Sequence, residues 1–76
     1  MTEVPPGIYA NFKGDRYEVL GEGVDTETRE PYIVYKPLYD VPNPEIFQLR
    51  PKDMFLGEVE IDGQKVPRFK LLDEVI

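Results

Sequence analysis

Cysteine, histidine and serine are all absent from this chain of 76 residues. Without cysteine there are no disulfides, and without cysteine and histidine the usual zinc ligands are missing. The physiological-pH general base and the common nucleophiles are gone as well. The three threonines (Thr2, Thr26 and Thr28) have only carboxylates and lysines as candidate bases. Catalysis is left with carboxylates, lysine and tyrosine, so the chain is not expected to be an enzyme. Gly21-Glu22-Gly23 leads into no helix and is not a phosphate loop, and no cofactor is expected. No apolar run approaches the ~20 residues of a membrane helix. The opening MTEVPPGIY has neither a basic nor an apolar leader region, so the expected location is the cytoplasm.

Clustered positive charge is also lacking. The net charge is −6. Residues 1–38 carry four basic and seven acidic side chains, and residues 39–76 carry five and eight. The excess is spread evenly, with no basic arm to displace counterions, so nucleic acid is a disfavoured partner.

A chain this short forms one domain, here spanning 1–76, and buries only about 60% of its unfolded surface. Small domains often gain stability from disulfides, metals or oligomerisation. Here the available material is aromatic, five Tyr and four Phe. Each buries roughly 150–250 Å².

Glycine and proline interrupt the chain throughout, and the longest stretch free of both is Arg68–Ile76. No helix of ordinary length fits before it. The segments between are rich in Tyr, Val, Ile and Phe, so the reading is all-β, with five or six short strands. The first covers Gly7–Lys13, a turn follows at Lys13-Gly14-Asp15, and Arg16–Val24 returns antiparallel. Tyr17 and Val19 share one face of it, with Glu18 opposite. Gly21 and Gly23 mark a bend or bulge. Asp25–Glu30 is a polar turn. Pro31–Leu38 is the most buried strand, Glu45–Arg50 a short strand, and Pro51–Phe55 a tight or 3₁₀ turn. Met54 and Phe55 are expected to plug the interior.

The clearest element is the last hairpin. Asp62-Gly63 lies between two apolar alternations and fits a type I′ turn. That turn sets Ile61 opposite Gln64, Glu60 opposite Lys65 and Val59 opposite Val66. The odd spacing of Val66 and Phe69 breaks the register, so Pro67 is read as a bulge or edge position. The architecture expected is an SH3-like antiparallel barrel or roll, with residues 1–6 and 73–76 loosely ordered. The alternative is an open sheet that dimerises through its apolar face.

Two groups of polar residues stand out. Asp25, Glu27 and Glu30 cluster in DTETRE, but their spacing does not match a calcium loop. A solvated turn held by local backbone bonds is the favoured reading. Arg50 and Arg68 each neighbour a proline. Each has the chemistry to stack on a ring, pair with a carboxylate or present its fork to an anion.

Five pieces, in order, resemble the short bacterial proteins of domain-of-unknown-function family 1653. They are GIYANFKGDRYEVLG, TETRE, IVYKPLY, RPKDMF and VEIDGQKVPRF. The resemblance runs from about Gly7 to Phe69 and implies an SH3-like barrel with no activity to carry over. It also implies departures. Asn11 and Asp25 stand near the places of two family histidines, Phe47 or Gln48 in the region of a tryptophan, and Gly57-Glu58 near an acidic position. The residues retained are Glu27, Thr28, Glu30, Tyr35, Tyr39, Arg50 and Arg68, which form the candidate binding set.

The function expected is a small binding module in which aromatics with Arg50 and Arg68 hold a peptide, a protein or a small anion. The alternatives are a self-associating homo-oligomer, an RNA-contacting barrel and a carboxylate-based enzyme or metal site. The charge of −6 disfavours RNA.

Overall fold

The computed structural model describes residues 3–39, 41–43 and 45–72. Among the described residues, seven strands and one helical turn follow one another. They are β1 (Gly7–Asn11), β2 (Arg16–Val24), β3 (Pro31–Pro37), β4 (Gln48–Pro51), α1 (Lys52–Phe55), β5 (Glu58–Ile61), β6 (Gln64–Pro67) and β7 (Phe69–Leu71). Five strands form one antiparallel sheet in the order β4-β3-β2-β1-β7, and β5 pairs with β6 in a second, two-stranded sheet. The fold is thus the small antiparallel β domain expected from the sequence. Its strands do not close into a hydrogen-bonded barrel.

Local chemistry explains the turns. Asn11 Oδ1 accepts the N–H groups of Lys13 and Asp15, each at 2.9 Å. Gly14 supplies φ +94 at the corner, a value glycine adopts without steric cost. This turn fixes Tyr9 opposite Tyr17. The next ladder shifts register between Val19 and Gly21, so the bulge lies at Leu20, beside the glycines that marked it.

β3 is buried on alternate positions. Ile33 and Tyr35 are 0% and 3% exposed, and Val34 faces outward at intermediate exposure. β4 starts later than expected, at Gln48. The turn after it is α-helical and not 3₁₀, because Leu56 N–H reaches back four residues to the Lys52 carbonyl at 2.9 Å. Only Phe55 plugs the interior there, at 2% exposed. Met54 is 48% exposed.

The last hairpin pairs as read, with Val59 opposite Val66, Glu60 opposite Lys65 and Ile61 opposite Gln64. Asp62 and Gly63 have φ +52 and +79, as a type I′ turn requires. The register break beyond Val66 is a change of sheet: β6 ends at Pro67, and β7 joins β1.

The core consists of Val4, Ile8, Tyr9, Tyr17, Val19, Ile33, Tyr35 and Phe55, with Phe69 packed against it. Val4 falls in the segment expected to be loose, yet it is buried, and Tyr9 Oη donates to the Pro5 carbonyl at 2.8 Å. The remainder of the expected loose ends, residues 1–2 and 73–76, lies outside the described residues.

Candidate functional site

One cluster joins most of the chain's ordered aromatics to a single cation. Alternation along β2 and β3 points Tyr17 and Tyr35 to the same side of the sheet, where their rings meet edge to face at 5.4 Å. Phe69 enters from β7 and contacts both, at 5.5 Å and 5.9 Å. Arg50, opposite Ile33 in the β3–β4 ladder, reaches over this group.

Arg50 is held by three neighbours. Its guanidinium lies 5.5 Å from the Phe69 ring centroid. Its Nε donates to the Tyr35 hydroxyl at 3.2 Å, and an Nη lies 3.4 Å from the Met54 sulfur. No carboxylate pairs with it among the described residues. The side chain is half-buried, so the cation is partly desolvated and has no counter-charge. A guanidinium in this setting favours an external anion.

A second hydroxyl chain lies beside it. Asn11 Nδ2 donates to Tyr17 Oη at 3.2 Å, and Tyr17 and Tyr39 hydroxyls are also 3.2 Å apart. Tyr17 is buried and Tyr39 is 43% exposed. A buried hydroxyl must place its proton on a partner, and Tyr39 Oη is the acceptor within reach, so Tyr17 donates and Tyr39 keeps an outward O–H. The Tyr17 hydroxyl is pushed well above the ordinary tyrosine range, first by burial and then by its bond to Tyr39. The Tyr35 hydroxyl accepts from Arg50 and so keeps its own proton to donate. The face therefore offers one cation, with the exposed Tyr39 hydroxyl linked to it through Tyr17 and Tyr35.

The structure brings together three of the candidate residues, Tyr35, Tyr39 and Arg50. Glu27, Thr28 and Glu30 lie elsewhere, in the β2–β3 turn. Pro31, the first strand residue after that turn, is four residues from Tyr35, a run of roughly 13 Å. Backbone chemistry accounts for that turn. Asp25 Oδ1 accepts the N–H groups of Glu27 at 2.9 Å and Thr28 at 3.2 Å, and Thr28 Oγ1 accepts that of Glu30 at 3.2 Å. The Glu27 and Thr28 bonds hold the Asp25 carboxyl below the usual carboxylate range. Among the described residues no three metal-ligating side chains converge.

The contacts that build the cluster do not include the Arg68 side chain. Its backbone N–H donates to the Gly57 carbonyl at 3.0 Å. Its Nε is buried without a hydrogen-bond partner among the described residues.

Sequence reasoning did not include Tyr17, Met54 and Phe69 among the site residues. Nothing local pointed to Phe69, because its meeting with Arg50 depends on the change of sheet at Arg68.

Among the described residues, no helix is long and apolar enough to cross a membrane. A comparison with curated proteins returned no match. A solved structure from Bordetella bronchiseptica, described as a protein belonging to DUF1653, is similar to this chain with a TM-score of 0.83 and 31% identity. The similarity covers 96% of this chain and 92% of that one. The family model of DUF1653, a protein of unknown function, matches residues 7–71. With the same family shown by sequence over nearly the whole domain and by a shared fold, this chain belongs to the DUF1653 family.

Proposed function

We propose that this protein is a small cytoplasmic, non-catalytic binding module that recognises an oxyanion, such as the carboxylate of a small acid or peptide. The observation that carries this reading is Arg50, fixed by Tyr35, Phe69 and Met54 and left without an acidic partner among the described residues. The exposed Tyr39 hydroxyl, joined to the same cluster through Tyr17, supplies a donor to the same kind of group. Such an arrangement is pre-organised, because the cation's rotamer is fixed before a ligand arrives. The net charge of −6 disfavours extended polyanions and is compatible with a single anionic group.

The test is a ¹H–¹⁵N titration with acetate and, separately, inorganic phosphate, observing the Arg50 Nε–H resonance. The expected result is a saturable shift at Arg50 Nε–H and at the Tyr35 and Phe69 amides; Arg50→Ala abolishes the amide shifts, and Tyr39→Phe weakens all of them. An Arg50 resonance unmoved by both anions overturns the reading. So does a shift spread over all lysines and arginines alike.

A further inference from the structure

The outer face of the main sheet carries a cavity of about 310 Å³, lined by Gly23, Val24, Asp25, Tyr32, Val34 and Leu49. Leu49 and Arg50 are neighbours in β4 and point to opposite faces, so this cavity lies across the sheet from the aromatic cluster. Three strands build it. Gly23 of β2 is opposite Tyr32 of β3, and Val34 of β3 is opposite Leu49 of β4.

Gly23 leaves the floor of the cavity bare. A glycine inside a strand costs stability and has no side chain to pack. The backbone does not demand it here, because its φ is not positive. Crowding does not demand it either: a Cβ would meet Val34 Cγ2 at 3.5 Å, an ordinary contact. Gly21, by comparison, follows the bulge at Leu20. What a side chain at position 23 would do is fill the cavity. Strand glycines of this kind mark places where a ligand comes close to the backbone.

The lining selects the ligand. Val24 and Leu49 are apolar and 54% and 62% exposed, and Val34 lies between the strands that carry them. Asp25, which follows β2, adds a carboxylate. Its Oδ1 is taken by the Glu27 and Thr28 N–H groups, which hold the carboxyl below the usual range and so ionised. No cation pairs with it among the described residues. The Tyr32 hydroxyl donates to Glu30 at 3.4 Å and is raised above the usual tyrosine value, first by the Glu30 charge, then by burial and then by Asp25. Tyr32 thus sits in a negative field, and an aromatic ring itself favours a cation.

We infer that this cavity binds a small aliphatic amine, its ammonium against Asp25 Oδ2 and Tyr32 and its hydrocarbon stem along Gly23, Val34 and Leu49. An anionic ligand would meet like charge here. An uncharged one would cover the carboxylate without giving it a partner, which is costly. The volume is at the lower end of small-molecule sites, ~300–1,000 Å³, which suits a short ligand over an extended one. The inference does not depend on anion recognition by Arg50, which uses the other face.

Titration of the full chain with n-pentylammonium chloride, followed by ¹H–¹⁵N shifts, tests it. The amides of Gly23, Asp25, Val34 and Leu49 are expected to shift saturably, with half-saturation on the order of 1–10 mM. Ammonium chloride at equal ionic strength and n-pentanol should each bind about tenfold more weakly or worse. Asp25→Asn keeps an Oδ1 for the Glu27 and Thr28 N–H groups, so the turn persists, and it should weaken binding about tenfold. Gly23→Ala puts a methyl on the floor. It should weaken binding several-fold while the thermal midpoint holds or rises. Glu58→Gln removes a charge on β5 and should leave binding unchanged. Shifts that ammonium chloride or n-pentanol reproduces at equal concentration overturn the inference. So does binding that Asp25→Asn and Gly23→Ala both leave intact, or that Glu58→Gln weakens equally. Shifts from a pentalysine peptide with none from n-pentylammonium overturn it as well.

Discussion

Phe55 and Phe69 lie face to face, ring centroids 4.2 Å apart and planes 5° from parallel. Phe55 ends the helical turn and Phe69 opens β7, so the pair clamps the two ends of the excursion that forms the β5–β6 hairpin. The bond from Arg68 N–H to the Gly57 carbonyl closes the same neck. The stack also fixes the ring beneath Arg50, so the fold's main clamp and its candidate site share Phe69.

Phe55 is therefore the most sensitive point of the core. It also contacts Tyr9 and Tyr35. Phe55→Ala should cost about 3–5 kcal/mol, comparable to the whole stability of a domain this small. Urea unfolding followed by tyrosine fluorescence is expected to show a largely unfolded chain without denaturant. Phe55→Leu should retain a cooperative transition at a lower midpoint.

Gly63 gives a cleaner test of backbone strain. Its φ is +79, and a Cβ there meets nothing within 4 Å. Gly63→Ala should thus destabilise by roughly 1 kcal/mol through conformation alone. Thermal unfolding should show a lower midpoint with the native far-UV spectrum unchanged.

The Tyr17 hydroxyl makes stability fall at alkaline pH. Its folded pKa is raised above the ordinary value of 10.0, first by burial and then by the bond to Tyr39. The folded state therefore holds this proton more tightly than the unfolded one. Its contribution is complete below pH 10 and is lost as pH rises through the folded pKa. Urea midpoints measured upward from pH 9 should decline. Tyr39→Phe removes a raising cause, so the Tyr17 phenolate should appear at lower pH in an ultraviolet titration.

Arg68 leaves a buried Nε without a partner among the described residues. A buried donor without a partner is costly, and an apolar group of similar shape removes that cost. Arg68→Met should be as stable as the original chain or more so, by urea unfolding. A loss above about 2 kcal/mol would show instead that the guanidinium is structurally engaged.

Much of this architecture was legible residue by residue. The Asp62-Gly63 pair, with its demand for positive φ, set the last hairpin and its register. Alternation set Tyr17 and Val19 on one face, the run of Ile33, Val34 and Tyr35 marked β3 as buried although Val34 faces outward, and the proline spacing ruled out long helices. The sequence does not separate an α-helical from a 3₁₀ turn at 51–55, because four residues carry too little pattern to distinguish i+3 from i+4 bonding. The Met54-Phe55 pair is apolar at both positions, yet adjacent residues on a helical turn point in different directions, so only Phe55 enters the interior.

Local preferences act over a few residues, and for that reason the turns, most of the strands and the pairing of adjacent strands are legible in the chain, while β7 and the start of β4 are not. Glu27, Thr28 and Glu30 join Arg50 in the candidate set only through the family resemblance. Only the tertiary structure separated them, leaving the acids in a distant turn and setting Arg50 over Phe69. That decision rests on the change of sheet at Arg68 and on the Phe55–Phe69 stack. Both are long-range packing events, in which a ring is placed by the space other elements leave and not by its neighbours in the chain.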